Sequence, residues 1–362
     1  MNSRYAVNWM PHALLYLLPL FGLGCSDDSG GASSSAVDQT APDMAPADQG
    51  VDQLAPDMGS SVDDRCPDAR AGEHVLVLYP DRVEAYRRDM RGFKVNYVCE
   101  ILALREQGIT AAVMMAEGTN GEIYIAQPEE GGGAVYRYTL SGEFLGKGEV
   151  NINLTDIAGL WRGEGDRLIA WSRGNENFYQ LDAEGNFQGR WTPPNAADSR
   201  VSGVVDLLIL DPDDEGNPRA MMAFEDRPPQ VFAFPNNPSF PEGELATARA
   251  LSPVETEIGD KYLISGAVDG LPHGVAIYQP VISGRTPPMR QTVSVISGDP
   301  GLGDGADLFP VAQGFFVLNS GATGDAPQLS SFNTMGIPQE QSPLHTADTP
   351  INVILTTAFP NF

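Results

Sequence analysis

The chain has 362 residues, enough for one large domain or two smaller ones, and it carries 48 acidic residues against 22 basic ones. Its formal net charge of −26 excludes binding to nucleic acid or anionic lipid head groups through surface charge, because those partners are themselves negative. The charge would attract cations or basic partners, and solubility alone also explains it.

The first 24 residues are typical of an export signal. Arg4 is their only charged residue, and it precedes an apolar run over 13–23. This run matches the core of a signal peptide and is shorter than the roughly 20 residues that a transmembrane helix needs. It ends in Gly22-Leu23-Gly24-Cys25, which resembles the lipobox of bacterial lipoproteins. The resemblance implies cleavage before Cys25 and attachment to the lipid bilayer through that acylated cysteine. Ordinary secretion is the alternative.

Two residues beside the cysteine refine this expectation. Gly22 stands where a lipobox usually has Leu, so the motif departs slightly from its pattern. Ser26 follows the cysteine, at a position that biases sorting in bacterial lipoproteins, and serine there favours the outer membrane. We therefore expect a lipid-anchored protein of the bacterial cell envelope, in the outer membrane, facing either the periplasm or the cell surface.

Residues 26–65 predict a disordered tether. They carry nine aspartates against Arg65 alone and almost no large apolar side chains. Such a segment cannot bury enough apolar surface to offset the entropy cost of ordering. As a flexible coil of this length it would span roughly 35 Å. The expected organisation is a signal peptide over 1–24, a lipidated cysteine and acidic tether over 25–65, and one folded domain over 66–362.

The cysteines agree with export. Cys66 and Cys99 most simply form one disulfide in an oxidising compartment, with two separate buried thiols as the alternative. The histidines of the folded part, His74, His273 and His345, show none of the short ligand spacings of a zinc site.

Short runs rich in Val, Ile, Leu, Tyr and Phe, bounded by Gly, Pro, Asn or Asp, predict strands throughout the folded part. Clear examples cover 74–79, 122–126, 134–138 and 313–318. Helical periodicity is scarce, so the sequence predicts an all-β domain.

The strands repeat. Gly-x-Phe-x-Gly occurs at 142–146 and again at 185–189, each time after a strand-like run. Weaker matches to the strand before this motif complete a set of six. They lie at 82–86, 230–234, 274–278 and 329–336. A repeat of 40 to 55 residues with three or four short strands is typical of a β-propeller blade. We therefore expect a single six-bladed β-propeller, with a pair of β-sandwiches as the alternative.

The repeat over 110–191 resembles the blades of the NHL and SMP-30-like propeller families. The resemblance implies architecture only, since no NHL, WD or kelch signature dipeptide is present. In such a ring the first blade would lack its innermost strand, because 74–78 matches the second strand of the next blade. We expect the last strand, 351–359, to fill that place and close the ring.

The sequence shows no catalytic signature, and in particular no Gly-x-Ser-x-Gly elbow. One enzymatic alternative is a calcium-dependent lactonase or esterase-like propeller, whose metal would be held by carboxylates from several blades. Its candidate ligands are Asp156, Asp206, Asp269 and Asp307. The loops 211–218 and 297–305 resemble calcium loops only in composition.

Three tryptophans, Trp161, Trp171 and Trp191, fall within one repeat. They would pack between blades or, alternatively, offer an aromatic surface to a partner. We expect a monomeric binding or protein-interaction module, with an envelope protein or glycan as its partner and without a cofactor.

Overall fold

The computed structural model describes residue 66 and residues 72–89, 92–118, 121–196, 201–212, 216–233, 240, 245–254, 261–268, 270–280, 289–296 and 303–359. All of them belong to one compact unit of the chain, Leu54–Phe362. The predicted signal peptide, Cys25 and the tether lie outside the described residues. Within the described part of the chain, no helix is long and apolar enough to cross a membrane.

The first half of the domain consists of three antiparallel sheets, which we call blades I to III. Blade I contains β1 (Gly72–Tyr79), β2 (Arg82–Arg88) and β3 (Val95–Leu102). Blade II contains β4 (Met114–Glu117), β5 (Glu122–Glu129), β6 (Gly132–Thr139) and β7 (Phe144–Lys147). Blade III contains β8 (Ile157–Arg162), β9 (Leu168–Ser172), β10 (Asn177–Leu181) and β11 (Phe187–Trp191). A 3₁₀ turn over Leu104–Gln107 connects blades I and II.

The second half contributes blades IV to VI. Blade IV contains β12 (Val204–Leu210), β13 (Arg219–Phe224) and β14 (Gln230–Phe232). Blade V contains β15 (Leu245–Val254), β16 (Lys261–Val268), β17 (Leu271–Pro280) and β18 (Met289–Ile296). Blade VI contains β19 (Asp307–Val311), β20 (Gly314–Asn319), β21 (Gln328–Asn333) and β22 (Pro338–Pro343). The last strand, β23 (Asn352–Phe359), pairs with β1 and so belongs to blade I. The expected all-β, six-bladed propeller is confirmed.

The motifs at 142–146 and 185–189 cover a turn and the start of the outer strand, and the strand-like runs of the six repeats fall on the third strands of the blades. These strands are β2, β6, β10, β14, β17 and β21. The two clear motifs also share their turn geometry, since Gly142 and Gly185 both adopt a left-handed backbone with φ of 83° and 84°. Side chains rarely tolerate that conformation, which explains the glycine at each turn.

The C-terminal strand closes the ring as expected. β23 pairs antiparallel with β1, with Val75 opposite Leu355 and Val77 opposite Val353. It is therefore the innermost strand of blade I, and it lies between β4 and β19 in the ring of inner strands. Because β1 and β23 pair with each other, neither strand has an unpaired edge where the two ends of the domain meet.

Polar bonds hold the connection that leads from blade VI into β23. Arg82, at the start of β2, donates from Nη2 to Asp348 and from Nε to Glu84, at 2.8 and 2.9 Å. Tyr86 donates its hydroxyl hydrogen to Glu84 at 2.7 Å and accepts the backbone N–H of His345 at 2.9 Å. The Glu84 side chain is 2% exposed, so its charge is compensated by Arg82 in a nearly dry site. This network anchors the closing segment to blade I.

The core is divided among the blade interfaces. The described residues form six apolar clusters, and each cluster joins two neighbouring blades. Between blades VI and I, for example, Phe316 and Leu318 pack with Val77 and Tyr86. A blade buries both of its faces only against its neighbours, which is the packing of a propeller and not of two sandwiches.

The three tryptophans pack between blades, as one of the two interpretations of the sequence predicts. Trp171 is buried, and Trp161 and Trp191 pack against the same cluster between blades III and IV. The rings of Trp161 and Trp191 lie 6.3 and 5.4 Å from that of Phe178.

The predicted disulfide is also confirmed. Cys66 and Cys99 are joined, with their Cα atoms 5.3 Å apart. Because Cys99 lies in β3, the outer strand of blade I, the bond attaches the entry of the domain to the outside of the ring.

Candidate functional site: the central channel

The six inner strands surround a cavity of about 940 Å³. This volume lies within the range of small-molecule sites in proteins. Residues of every inner strand line the wall, among them Met114, Leu160, Leu208, Ala250, Leu308 and Ile354. The wall is of mixed polarity, because charged residues line it as well: Glu117, Arg162, Glu164, Asp206, Asp211, Arg249 and Asp307.

Asp206, on β12, is held by three N–H donors. Its Oδ1 accepts from Trp161 Nε1 at 2.7 Å and from the backbone of Leu207 at 2.8 Å. Its Oδ2 accepts from the backbone of Leu251 in blade V at 2.6 Å. The carboxylate thus links blades III, IV and V and has both oxygens occupied.

Asp307 repeats this arrangement at the start of β19. Oδ1 accepts the N–H of Leu308 and Oδ2 accepts the N–H of Val353 in β23, both at 2.8 Å. The second bond crosses from blade VI to blade I. Both aspartates therefore connect an inner strand to the next inner strand in the ring.

Asn352 makes the corresponding connection from blade I to blade II. Its Oδ1 accepts the backbone N–H of Met115 at 3.1 Å, and its Nδ2 donates to the backbone carbonyl of the same residue at 2.9 Å. Like the two aspartates, it precedes an apolar residue of an inner strand. A short side chain with oxygen at this position fastens one blade to the next.

Burial changes the titration of the two aspartates. It raises the pKa of Asp206 to about 6, against the opposing effect of its hydrogen bonds. Burial, together with the nearby charge of Asp206, raises the pKa of Asp307 to about 7. Both carboxyl groups consequently titrate near neutral pH.

Glu117 and Arg162 lie at the ends of their inner strands, beyond the level of the aspartates. Thr356 donates its hydroxyl hydrogen to Glu117 at 2.7 Å. Burial raises the pKa of Glu117, while the positive charge of Arg162 acts in the opposite direction. Arg162 itself is exposed, and its charge is partly balanced by Glu117.

Arg249 lines the channel from β15, on the opposite side of the aspartate level from Arg162. Its side chain is exposed, and its Nη1 lies 3.5 Å from the backbone carbonyl of Asp304. Within the described part of the chain it has no ion pair with a carboxylate.

The three predicted calcium ligands that the structure describes, Asp156, Asp206 and Asp307, do not form a metal cluster. Asp156 lies in an exposed turn before β8, with a positive φ of 55° and its carboxylate 3.8 Å from Arg173. Asp206 and Asp307 lie in inner strands as expected, but their oxygens bond to N–H groups. Asp269 lies outside the described residues, as do 213–215 and 297–302 of the two loops. Among the residues that are described, no three His, Cys, Asp or Glu side chains gather as a metal site would require.

Sequence reasoning missed Asn352, Glu117 and Arg249. Asn352 had a usable signal, since Asn352-Val353 resembles Asp206-Leu207 and Asp307-Leu308 once the last strand is placed at the centre of blade I. Arg249 had none, because its access to the channel depends on the packing of six separate strands.

No protein-family model matches the chain, and no curated protein matches it. Solved structures share its fold. A Bacteroides caccae protein of unknown function is 12% identical with a TM-score of 0.51, and the alignment covers 79% of this chain and 99% of that one. At this identity the likeness shows the fold alone.

Two sugar-lactone enzymes are more distant. A putative 6-phosphogluconolactonase from Bacteroides fragilis is 12% identical with a TM-score of 0.44, covering 80% of this chain and 85% of that one. A Xanthomonas campestris gluconolactonase is 12% identical with a TM-score of 0.45, covering 82% and 90%. Likeness at this level does not extend to their reactions.

Proposed function

We propose that this protein is a lipid-anchored protein of the bacterial cell envelope whose propeller acts as a binding module. The observation that carries the binding role is the use of Asp206, Asp307 and Asn352 as connections between blades. Because these groups are engaged between blades, they serve to hold the ring together and are not free acids or bases in the channel. A rigid ring with adjustable loops suits the display of a binding surface.

The anchor is supported by the N-terminal sequence. The signal over 1–24 ends at Cys25 within a lipobox-like motif, and the acidic tether 26–65 would separate the propeller from the bilayer. Ser26 favours the outer membrane as its location.

A Cys25→Ser variant tests the anchor, with Ser26→Ala as a neighbouring control. We expect the native protein and Ser26→Ala to incorporate labelled fatty acid and sediment with membranes, and Cys25→Ser to do neither. Continued sedimentation of Cys25→Ser in the membrane fraction would show that Cys25 is not the anchor.

The calcium-dependent lactonase or esterase-like hydrolase is the rival function. It requires several oxygen ligands that converge on one ion, and the two buried aspartates of the channel, Asp206 and Asp307, point their oxygens at N–H donors instead. Calorimetric titration of the chelated protein with calcium distinguishes the binding module from the hydrolase. We expect no saturable heat and no hydrolysis of aliphatic lactones with calcium present; a stoichiometric calcium site together with lactone hydrolysis would establish the enzyme.

The partner is sought in native envelopes. We expect the monomeric acylated protein, cross-linked in intact cells, to capture a specific envelope protein or glycan. The Asp307→Ala variant, which loosens the ring, serves as a comparison for binding that needs the intact propeller. Recovery of the same material by an unrelated lipoprotein would argue against a specific module.

A further inference from the structure

We propose that blade IV binds an extended, basic segment of a partner protein, which pairs with the outer edge of β14 (Gln230–Phe232) as a fourth strand. The inference deepens the proposed function and rests on it, because it names the interaction surface and the class of partner for the same binding module. Two observations coincide at this blade, namely its number of strands and its charge.

Blade IV is one strand short. Among the described strands it has three, in the order β12-β13-β14, whereas each of the other five blades has four. Only 12 residues, 233–244, separate β14 from the inner strand of blade V, against 17 to 26 at the same place in the other blades. They include Pro235, Pro238 and Pro241, which lack the N–H that a strand ladder needs. Phe240, a described residue of this connection, belongs to no strand.

The strand β14 is buried like an internal strand, although it is the outermost described strand of its sheet. Val231 packs in the cluster between blades IV and V, and Phe232 packs in the cluster between blades III and IV. By contrast, five of the six residues of β22, the outer strand of blade VI, are exposed. The edge of β14 is therefore recessed between two blades that each extend one strand further.

This recess distinguishes β14 from the outer strands of the other blades. A guest strand beside β14 would have the outer strands of blades III and V, β11 and β18, on its two sides. A fifth strand added to another blade would extend beyond the fourth strands of its neighbours and bury less surface. Strand addition also satisfies the backbone groups of an open edge.

Blade III forms one wall of the recess. Trp191, at the end of β11, is half-buried against the cluster that contains Phe232. Asn195, a little further along the chain, donates from Nδ2 to the backbone carbonyl of Ala233 at 3.1 Å. This bond places the end of blade III beside the end of β14, so the indole of Trp191 is suited to report a guest strand.

The charge of blade IV selects a basic guest. The segment 204–244 carries nine acidic residues and two basic ones, a net charge of −7, and the corresponding segments of the other blades lie between 0 and −5. Glu225 and Asp226, in the turn directly before β14, are both exposed. Arg227 in the same turn lies over the ring of Phe224, 4.0 Å from its centre.

Charge also distinguishes the guest from other copies or parts of this chain. The tether 26–65 carries nine aspartates, and a second copy repeats the charge of blade IV, so both would be repelled. A strand that alternates basic and apolar side chains would be attracted by the acids and would place apolar groups against the neighbouring blades.

The probe is an acetylated and amidated hexapeptide of alternating lysine and valine, added to the full chain carrying Cys25→Ser. Hydrogen exchange should show that the amides of β14 that face away from β13 exchange quickly in the free protein and slowly with the peptide. Tryptophan fluorescence should change on binding, and Trp191→Phe should remove that change.

Two further peptides separate charge from strand pairing. The peptide with glutamate in place of lysine should bind at least about tenfold more weakly, because like charges would then face one another. The peptide with proline in place of valine keeps the positive charge but cannot form a ladder, so it should leave the β14 amides unprotected.

Variants locate the attraction. Glu225→Gln/Asp226→Asn should weaken binding of the lysine-valine peptide by about threefold or more, the effect of two exposed ion pairs. Glu143→Gln/Glu149→Gln removes two exposed acids of blade II and should change the affinity less than about twofold. Thermal unfolding of each variant checks that the ring is intact.

Three results would overturn the proposal. Slow exchange of the outward amides of β14 in the free monomer would show that the chain itself covers this edge. Equal binding of the lysine-proline peptide would show attraction by charge without strand pairing. A dimer in analytical ultracentrifugation, with the same amides protected, would make a second copy the occupant.

Failure of this inference is separable from failure of the proposed function. If the lysine-valine peptide leaves β14 unprotected while envelope cross-linking still yields a specific partner, the strand site is wrong and the binding module stands. If the peptide protects β14 but cross-linking yields no specific partner, the envelope role is wrong and the strand site stands.

Discussion

The carboxylate of Asp307 accepts the backbone N–H of Val353 at 2.8 Å, which joins the inner strand of the last blade to the C-terminal strand of the first. On the other side of that strand, Asn352 exchanges two hydrogen bonds with the backbone of Met115 in blade II. β23 is thus fastened to both of its neighbours in the ring as well as paired with β1.

Asp307→Ala should destabilise the domain by about 1–3 kcal/mol, because it leaves the buried N–H of Val353 without an acceptor. Asp307→Asn keeps one acceptor oxygen and should lose less. Denaturant unfolding followed by tryptophan fluorescence measures both. Unchanged stability of the alanine variant would mean that the bond contributes nothing to closure.

The two aspartates should make part of the stability depend on pH. Their folded-state pKa values, about 6 for Asp206 and about 7 for Asp307, lie above the roughly 3.9 of an unfolded aspartate. The stability that the two aspartates add by binding protons in the folded state is therefore fully present below about pH 4. It is lost as the pH rises through about 6 to 7.

The measurement compares native protein with an Asp206→Asn/Asp307→Asn double variant between pH 4 and pH 8. The native-minus-variant difference in unfolding free energy should fall across this range, and the comparison cancels the other carboxyl groups. A difference that rises with pH would show that hydrogen bonding outweighs burial and that the aspartates prefer their ionised form.

Removal of residues 350–362 should open the ring. The truncation deletes β23 with its bonds to Asp307 and Met115, and it exposes β1 as an unpaired edge. We expect a large fall in melting temperature and association of the opened domains in size-exclusion chromatography. A shorter truncation of 360–362 spares the strand and serves as the control. Full thermal stability of the longer truncation would contradict closure by β23.

Loss of the disulfide should cost about 4 kcal/mol, the chain-entropy value for a loop of this length, which spans 33 positions. Cys66→Ser and Cys99→Ser should behave alike, and a reducing agent should bring the native protein to the same stability. Cys25→Ser provides the matched cysteine substitution and should unfold like the native domain. Equal stability with and without reductant would show that the disulfide does not contribute to the free energy of unfolding.

Local patterns explain what the sequence could predict. Strands such as β5 are set by short runs of β-branched and aromatic residues, and turns such as Gly142 by backbone geometry, so the six repeats and the place of β23 were recognisable. The bonds across the channel were not, since Asn352 and Met115 are 237 positions apart and meet only when the ring closes. Asp156 and Asp206 look alike in sequence, yet one lies in an exposed turn and the other faces an adjacent blade.

The disulfide has a mechanical consequence. Any tension that reaches Cys66 along the preceding chain passes through the sulfur bridge to Cys99 in β3, because a covalent cross-link carries load in parallel with the loop that it closes. β1 and β2 lie within that loop and are shielded from the pull. The seam between β1 and β23, on which the ring depends, therefore lies off the shortest covalent path by which a pull on the preceding chain enters the ring.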